Sequence, residues 1–263
     1  MATDILCTHD LTPVSDTALV YAVRLAERID SRVTLLHVIK AGLSTEERQT
    51  LTSTLERAIA QAEGQDRVRV VLDEGRFMQC IAEESAKDHA LAILGTHGPH
   101  GLRQNLFGAD ILKLVRSLGT PSVVVQKDSN VEDRLDRIVL PVAAHAKIDR
   151  LLDAVCMLAR LHTSEVHVYQ LMRPNESPSD ELLKNKLHML QRLRTEGIRH
   201  LEANVPSDTF SVGFAGPTIE YAQRIGAGCI AIMVHASDEY RYIADAEKER
   251  LLTNDAFIPV LCA

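Results

Sequence analysis

Tryptophan is absent from this chain, and phenylalanine and tyrosine supply only five residues each among 263. One aromatic–basic triplet, Tyr240-Arg241-Tyr242, is too little to stack a single-stranded nucleic acid. A basic excess is missing as well. Lys and Arg number 29 against 36 Asp and Glu, for a formal charge of −7, whereas non-specific nucleic-acid binding needs a positive face. That balance leaves nucleotides open, because a local loop dipole can outvote the global charge. No apolar run approaches the roughly 18 residues of a membrane span, and no N-terminal stretch has the basic-then-apolar form of a signal peptide. The expected compartment is the cytoplasm, with neither membrane nor nucleic acid as partner.

The five cysteines, Cys7, Cys80, Cys156, Cys229 and Cys262, are odd in number and lack C-x-x-C spacing. Most lie in apolar runs and are expected to be buried, reduced thiols. Missing too are G-x-S-x-G, a P-loop lysine motif and H-E-x-x-H, and no nucleophile–base pair stands out. No enzyme class is supported beyond slow, incidental ATP hydrolysis. His97 and His100 form H-x-x-H, but a metal site needs a further ligand and a fixed outer shell. They read as loop polarity or a phosphate contact. His235 reads as a rim histidine closing a strand rather than a base.

What the chain does have is a repeated grammar. Asp4–Thr8 is a short strand, Ser15–Ile29 an amphipathic helix, and Arg32–Ile39 a β-branched buried strand. Helices over Glu46–Ala62 and Phe77–Lys87 alternate with strands Val68–Leu72 and Leu91–Leu94, and Pro121–Val125 is a last strand. The second half repeats the order. Strands are expected at Ile138–Val142, Glu165–Leu171, Phe210–Phe214, Ile230–Met233 and Pro259–Cys262, with helices at Ile148–Leu161, Asp180–Gly197 and Pro217–Ile225. Continuous apolar strands alternating with helices indicate parallel sheets covered on both faces. The spacing predicts two tandem α/β domains, over residues 1–127 and 135–263, joined by the charged, turn-rich run Lys127–Asp136.

The most informative segment follows the strand Leu91–Leu94. Gly95-Thr96-His97-Gly98, nine further residues and Gly108 lead into a helix-like stretch from Asp110 to Leu118. A strand emptying into a glycine-rich loop and a helix N-terminus suits phosphate, since amides can approach the anion and the helix dipole favours negative charge. The stripe Ile111, Leu114, Val115 and Leu118 in that helix belongs to the core. Asp10 stands just past the first strand, where such sheets bind ligands. It also suits a turn or cap ahead of the following helix.

Together these residues resemble the universal stress protein family across almost the whole chain. Ile5-Leu6-Cys7-Thr8-His9-Asp10 resembles its first strand ending in aspartate, and Leu35-Leu36-His37-Val38 its second. Gly95-x-x-Gly98-x9-Gly108 reproduces most of the loop G-x2-G-x9-G-(S/T) of ATP-binding members. The resemblance implies two Rossmann-like domains, each a five-stranded parallel sheet flanked by helices. It further implies a stress-response binding module for ATP or another adenine nucleotide, with or without Mg, acting as a homodimer with a signalling partner. By the same resemblance, Asp10 and Val38 sit at the nucleoside. Leu94, Gly95, Gly98 and Gly108 line the ribose–phosphate path, with Thr8, Ala109 and Asp110 completing the set.

Two departures weaken the phosphate end. Ala109 stands where the motif has Ser or Thr, and a lost charge-assisted hydrogen bond costs roughly 1.5–3 kcal/mol, or about one to two decades of affinity. Asp110 suits the helix dipole but competes with phosphate for it. In the second half the loop reads Val234-His235-Ala236-Ser237 and Ala143 replaces the aspartate, so no site of the family type is expected there. The resemblance also implies association through last-strand edges, for which Ser122–Val125 and Val260–Cys262 are suited. A ligand-free scaffold that dimerises through those strands is the alternative.

Overall fold

The computed structural model describes residues 4–96, 108–131, 135–174, 177–207, 213–235 and 241–263. The chain divides into two compact units, Met1–Val131 and Glu132–Ala263. In the first, strands and helices alternate as β1 (Asp4–Thr8), α1 (Pro13–Arg28), β2 (Val33–Ile39), α2 (Thr45–Gln61), β3 (Val68–Glu74), α3 (Phe77–Ser85), β4 (His89–Gly95), α4 (Gly108–Ser117) and β5 (Ser122–Val125). The strands are parallel in the order β3-β2-β1-β4-β5. Burial explains that order. Ile5, Leu6 and Cys7 of β1 are fully buried, as suits a central strand, whereas β3 at the edge leaves Val70 and Leu72 exposed. Pro13 at the first helical position starts α1 without losing a needed N–H. Its stripe Ala18, Leu19, Ala22, Leu25 and Ala26 packs against the sheet.

The second unit repeats this as β6 (Arg137–Pro141), α5 (Asp149–His162), β7 (Glu165–Met172), α6 (Asp180–Thr195), β8 (His200–Pro206), α7 (Ala215–Ile225), β9 (Cys229–Ile232), α8 (Arg241–Leu252) and β10 (Val260–Cys262). Its parallel order is β10-β9-β6-β7-β8, the same winding.

One predicted strand was misplaced. The edge place in the winding, beside β7, is filled by His200–Pro206, in register from Val166↔His200 to Met172↔Pro206, and not by Phe210–Phe214. This edge strand carries His, Glu and Asn between its apolar residues, which hides it from a search for continuous apolar runs. Of the predicted segment, residues 210–212 lie outside the described residues, and Phe214 occupies the position before α7, making no side-chain capping bond. That helix starts at Ala215 rather than Pro217, since a proline in the first turn forfeits no intrahelical bond. Helix α8 is a further element the sequence pattern did not announce.

Candidate functional site

In an open parallel sheet, ligands bind beyond the carboxyl ends of the strands where the winding reverses direction. In the first unit that point lies between β1 and β4, adjacent strands in register from Ile5↔Leu91 to Cys7↔Ile93. Thr8, buried, ends β1, and Leu94 and Gly95 end β4. Val38 lies near the end of β2, beyond Leu36, the partner of Thr8. The candidate residues Thr8, Asp10, Val38, Leu94 and Gly95 therefore gather at the carboxyl ends of three neighbouring strands.

Asp10 is held by its own helix. Its Oδ1 accepts from the Thr12 N–H at 3.1 Å, the Thr12 hydroxyl at 2.5 Å and the Ser15 hydroxyl at 2.6 Å. Ser15 Oγ accepts in turn from the Asp10 N–H at 3.2 Å. Asp10 thus serves the turn and helix start as well as standing at the crevice. Among the described residues no donor reaches its Oδ2. Burial pushes its pKa up, but the hydrogen bonds from Ser15 and Thr12 outweigh burial and the net shift is downward. The group is a carboxylate at neutral pH.

Sequence reasoning missed the histidines that brace this turn. His9 is 2% exposed. The Leu11 N–H donates to its Nδ1 at 3.1 Å, so Nε2 carries the proton and donates to Asp16 Oδ1 at 3.1 Å. Burial lowers the His9 pKa against the opposing pull of Asp16. His37 Nδ1 donates to the His9 carbonyl at 2.6 Å, tying β2 to the loop after β1. Within the same loop Leu11 takes φ of 66°, the left-handed region. The spacing Asp10-x-Thr12-x-x-Ser15 was the available signal for a side-chain cap.

On the β4 side, a Cβ on Gly95 would stand 3.0 Å from the Val14 carbonyl oxygen at the start of α1. The glycine is needed for that close approach whatever else it does. Thr96 is fully buried, and its N–H extends the ladder to the Val125 carbonyl at 2.8 Å. Gly98, His97 and His100 lie outside the described residues. Gly108 and Ala109 open α4, and Asp110 is an exposed first-turn residue whose Oδ1 faces Lys113 Nζ at 3.4 Å. That weak, exposed pair leaves the carboxylate largely to solvent and to the helix dipole.

The corresponding point of the second unit, between β6 and β9, is built differently. Ala143 follows β6, and Val234 and His235 follow β9, while Ala236 and Ser237 lie outside the described residues. His235 is exposed. Unforeseen from the sequence is Lys248 of α8, 3% exposed, with Nζ donating to the carbonyls of Val234 at 3.4 Å and His235 at 2.5 Å. Its signal was a lysine on the helical face of the buried Leu251 and Leu252.

All five cysteines are buried and unbridged; desolvation pushes the Cys229 thiol up to about 12. Among the described residues no group of three or more His, Cys, Asp or Glu could hold a metal ion, and no helix is long and apolar enough to cross a membrane. The triplet Tyr240-Arg241-Tyr242 has no described side chain.

Residues 1–126 match the universal stress protein family. Among solved structures, a universal stress protein from Archaeoglobus fulgidus aligns over 99% of this chain and 96% of its own, with 13% identity and a TM-score of 0.68. A candidate universal stress protein from Pseudomonas aeruginosa aligns over 99% and 92%, with 18% identity and a TM-score of 0.56. At such identities the likeness is one of fold, and it spans both units. No curated protein matches.

Proposed function

We propose, from the premise that this chain belongs to the universal stress protein family through its N-terminal half, that its first unit binds an adenine nucleotide in the crevice between β1 and β4. The observation that carries this reading is Asp10. Its carboxylate is fixed through Oδ1 at the carboxyl end of β1 and has Oδ2 left to accept from a ribose hydroxyl or an adenine amine. Val38 supplies an apolar flank for the nucleoside. Gly95, Gly98, Gly108 and the first turn of α4 form the phosphate path, with Thr8, Leu94, Ala109 and Asp110 along it. The protein acts as a cytoplasmic binding module rather than an enzyme, with Mg arriving on ATP and homodimerisation to be checked by sedimentation.

A second reading has a specific observation behind it. Asp10 has a helix to cap and Gly95 a close contact with Val14 to permit, so both are accounted for in a ligand-free scaffold. Calorimetric titration of the full chain with AMP and with ATP–Mg separates the two. Saturable heat that falls at least tenfold in affinity for Asp10→Ala, the scale of one charge-assisted bond, supports the nucleotide site. Absence of heat at millimolar nucleotide supports the scaffold.

A further inference from the structure

We propose that helix α6 carries a self-association surface, onto which a second copy of this chain docks its own α6 in antiparallel orientation. The surface lies apart from the last-strand edges Ser122–Val125 and Val260–Cys262 and does not rest on the nucleotide reading of the first unit. Asp180, Leu183, Leu187, Leu190 and Arg194 recur along α6 at alternating spacings of three and four residues. That alternation is the a/d seam along which two helices pack. Leu187 is 67% exposed and Leu183 40%.

The other flanks of α6 are engaged. His188 Nε2 bonds to Asp149 Oδ1 at 2.7 Å, and the Arg192 guanidinium donates to Asp153 Oδ1 at 2.7 Å, both on α5. Met189 and Leu193 are buried, and Lys186 donates to Gln170 Oε1 of β7 at 2.7 Å and to Asn204 Oδ1 of β8 at 2.6 Å. With about 3.6 residues per turn, the leucine seam falls on the flank turned away from α5, on the side of β8. Among the described residues, β8 ends the sheet and no strand pairs with its outer side.

The first unit shows that the leucines are not required by the fold. Helices α2 and α6 end alike: the Gly64 N–H donates to the Ile59 carbonyl at 3.0 Å, and the Ile198 N–H to the Leu193 carbonyl at 2.9 Å. Glu63 and Gly197, at φ of 56° and 67°, take the left-handed place in each ending. Aligned on that ending, Leu183, Leu187 and Leu190 correspond to Gln49, Ser53 and Glu56, all exposed. The same winding is therefore built with polar side chains at these places. Scattered surface leucines need no explanation, but an ordered seam of them does.

Charge selects the occupant. The seam is acidic at Asp180 and basic at Arg194, both exposed. A second copy laid antiparallel, centred near Leu187, brings Asp180 of each copy towards Arg194 of the other and sets leucine against leucine. The opposed helix dipoles favour the same orientation. A two-fold contact of this kind is self-complementary and closes at a dimer. A membrane surface would instead favour basic residues beside the seam, where its start carries Asp180 and Glu181.

The test is sedimentation velocity on the full chain and its variants, each checked for folding by circular dichroism. The wild type is expected to dimerise at high micromolar concentration. Leu187→Glu should weaken the dimer roughly tenfold or more, while Ser53→Glu, at the matching place on α2, should leave it unchanged. Asp180→Arg and Arg194→Asp should each weaken it by about fivefold, and the double variant should recover the wild-type affinity. These charge swaps keep the pairing testable if Leu187→Glu misfolds. A monomeric wild type, a dimer indifferent to Leu187→Glu, or a double variant no better than the single ones would overturn the proposal. So would a monomer that binds phosphatidylserine vesicles through Leu187, which would assign the seam to a membrane.

Discussion

Asp10 answers two demands with its two oxygens. Oδ1 gathers three donors from Thr12 and Ser15, which fixes the start of α1, and the same bonds lower the carboxyl pKa despite burial. A depressed pKa means that its stabilising contribution is complete above the unfolded value of about 3.9 and disappears as pH falls through the folded value. Wild-type protein should therefore melt above Asp10→Asn at pH 7, and the gap should close as pH drops below about 4. A gap independent of pH would mean that the charge is irrelevant to the cap. Nearby, Leu11 holds a left-handed conformation while 39% exposed. Leu11→Gly should leave the melting temperature unchanged or raise it, and Leu11→Ile should cost about 1–2 kcal/mol, since β-branched residues tolerate positive φ least. At Gly95, a methyl group would press on the Val14 carbonyl. Gly95→Ala should cost about 1–3 kcal/mol in denaturant titrations, with or without nucleotide. Asp10 was legible in the sequence as a turn or cap residue ahead of α1, which its bonds to Thr12 and Ser15 bear out. The close approach that requires Gly95 was not legible, because its partner, the Val14 carbonyl, is brought near only by the folded turn.

Among the elements, α4 is the one on which the proposed phosphate placement depends. A helix start offers a positive dipole end that a phosphate would use, yet α4 carries Ala109 and Asp110 there. Ala109→Ser should strengthen ATP binding by about one decade, and Asp110→Val should add to it by removing a competing anion. Calorimetry on both variants checks this. Unchanged affinity in both would mean that the phosphates do not lie at this helix. Predicted strands lie within two residues of the observed bounds where an apolar run dominates, as in β1, β2, β4 and β9. The sequence pattern missed β8, where an edge position lets polar side chains alternate with apolar ones, and α8, where Lys248 breaks the apolar stripe.

For the whole molecule, the two units share one winding and differ in what stands at its reversal. The first has a carboxylate, Gly95 and the start of α4; the second has Ala143 and a buried lysine. Duplication was legible because hydrophobic alternation survives substitution, while the lysine's role depends on how α8 meets β9, which no local pattern encodes. The nucleotide site proposed for the first unit is tested most directly by mapping backbone amide shifts in the full chain during titration with ATP–Mg. Shifts should appear at Thr8–Thr12, Leu94–Thr96 and the first turn of α4 and saturate together. A first unit whose amides stay silent while nucleotide reaches millimolar concentration would contradict the account.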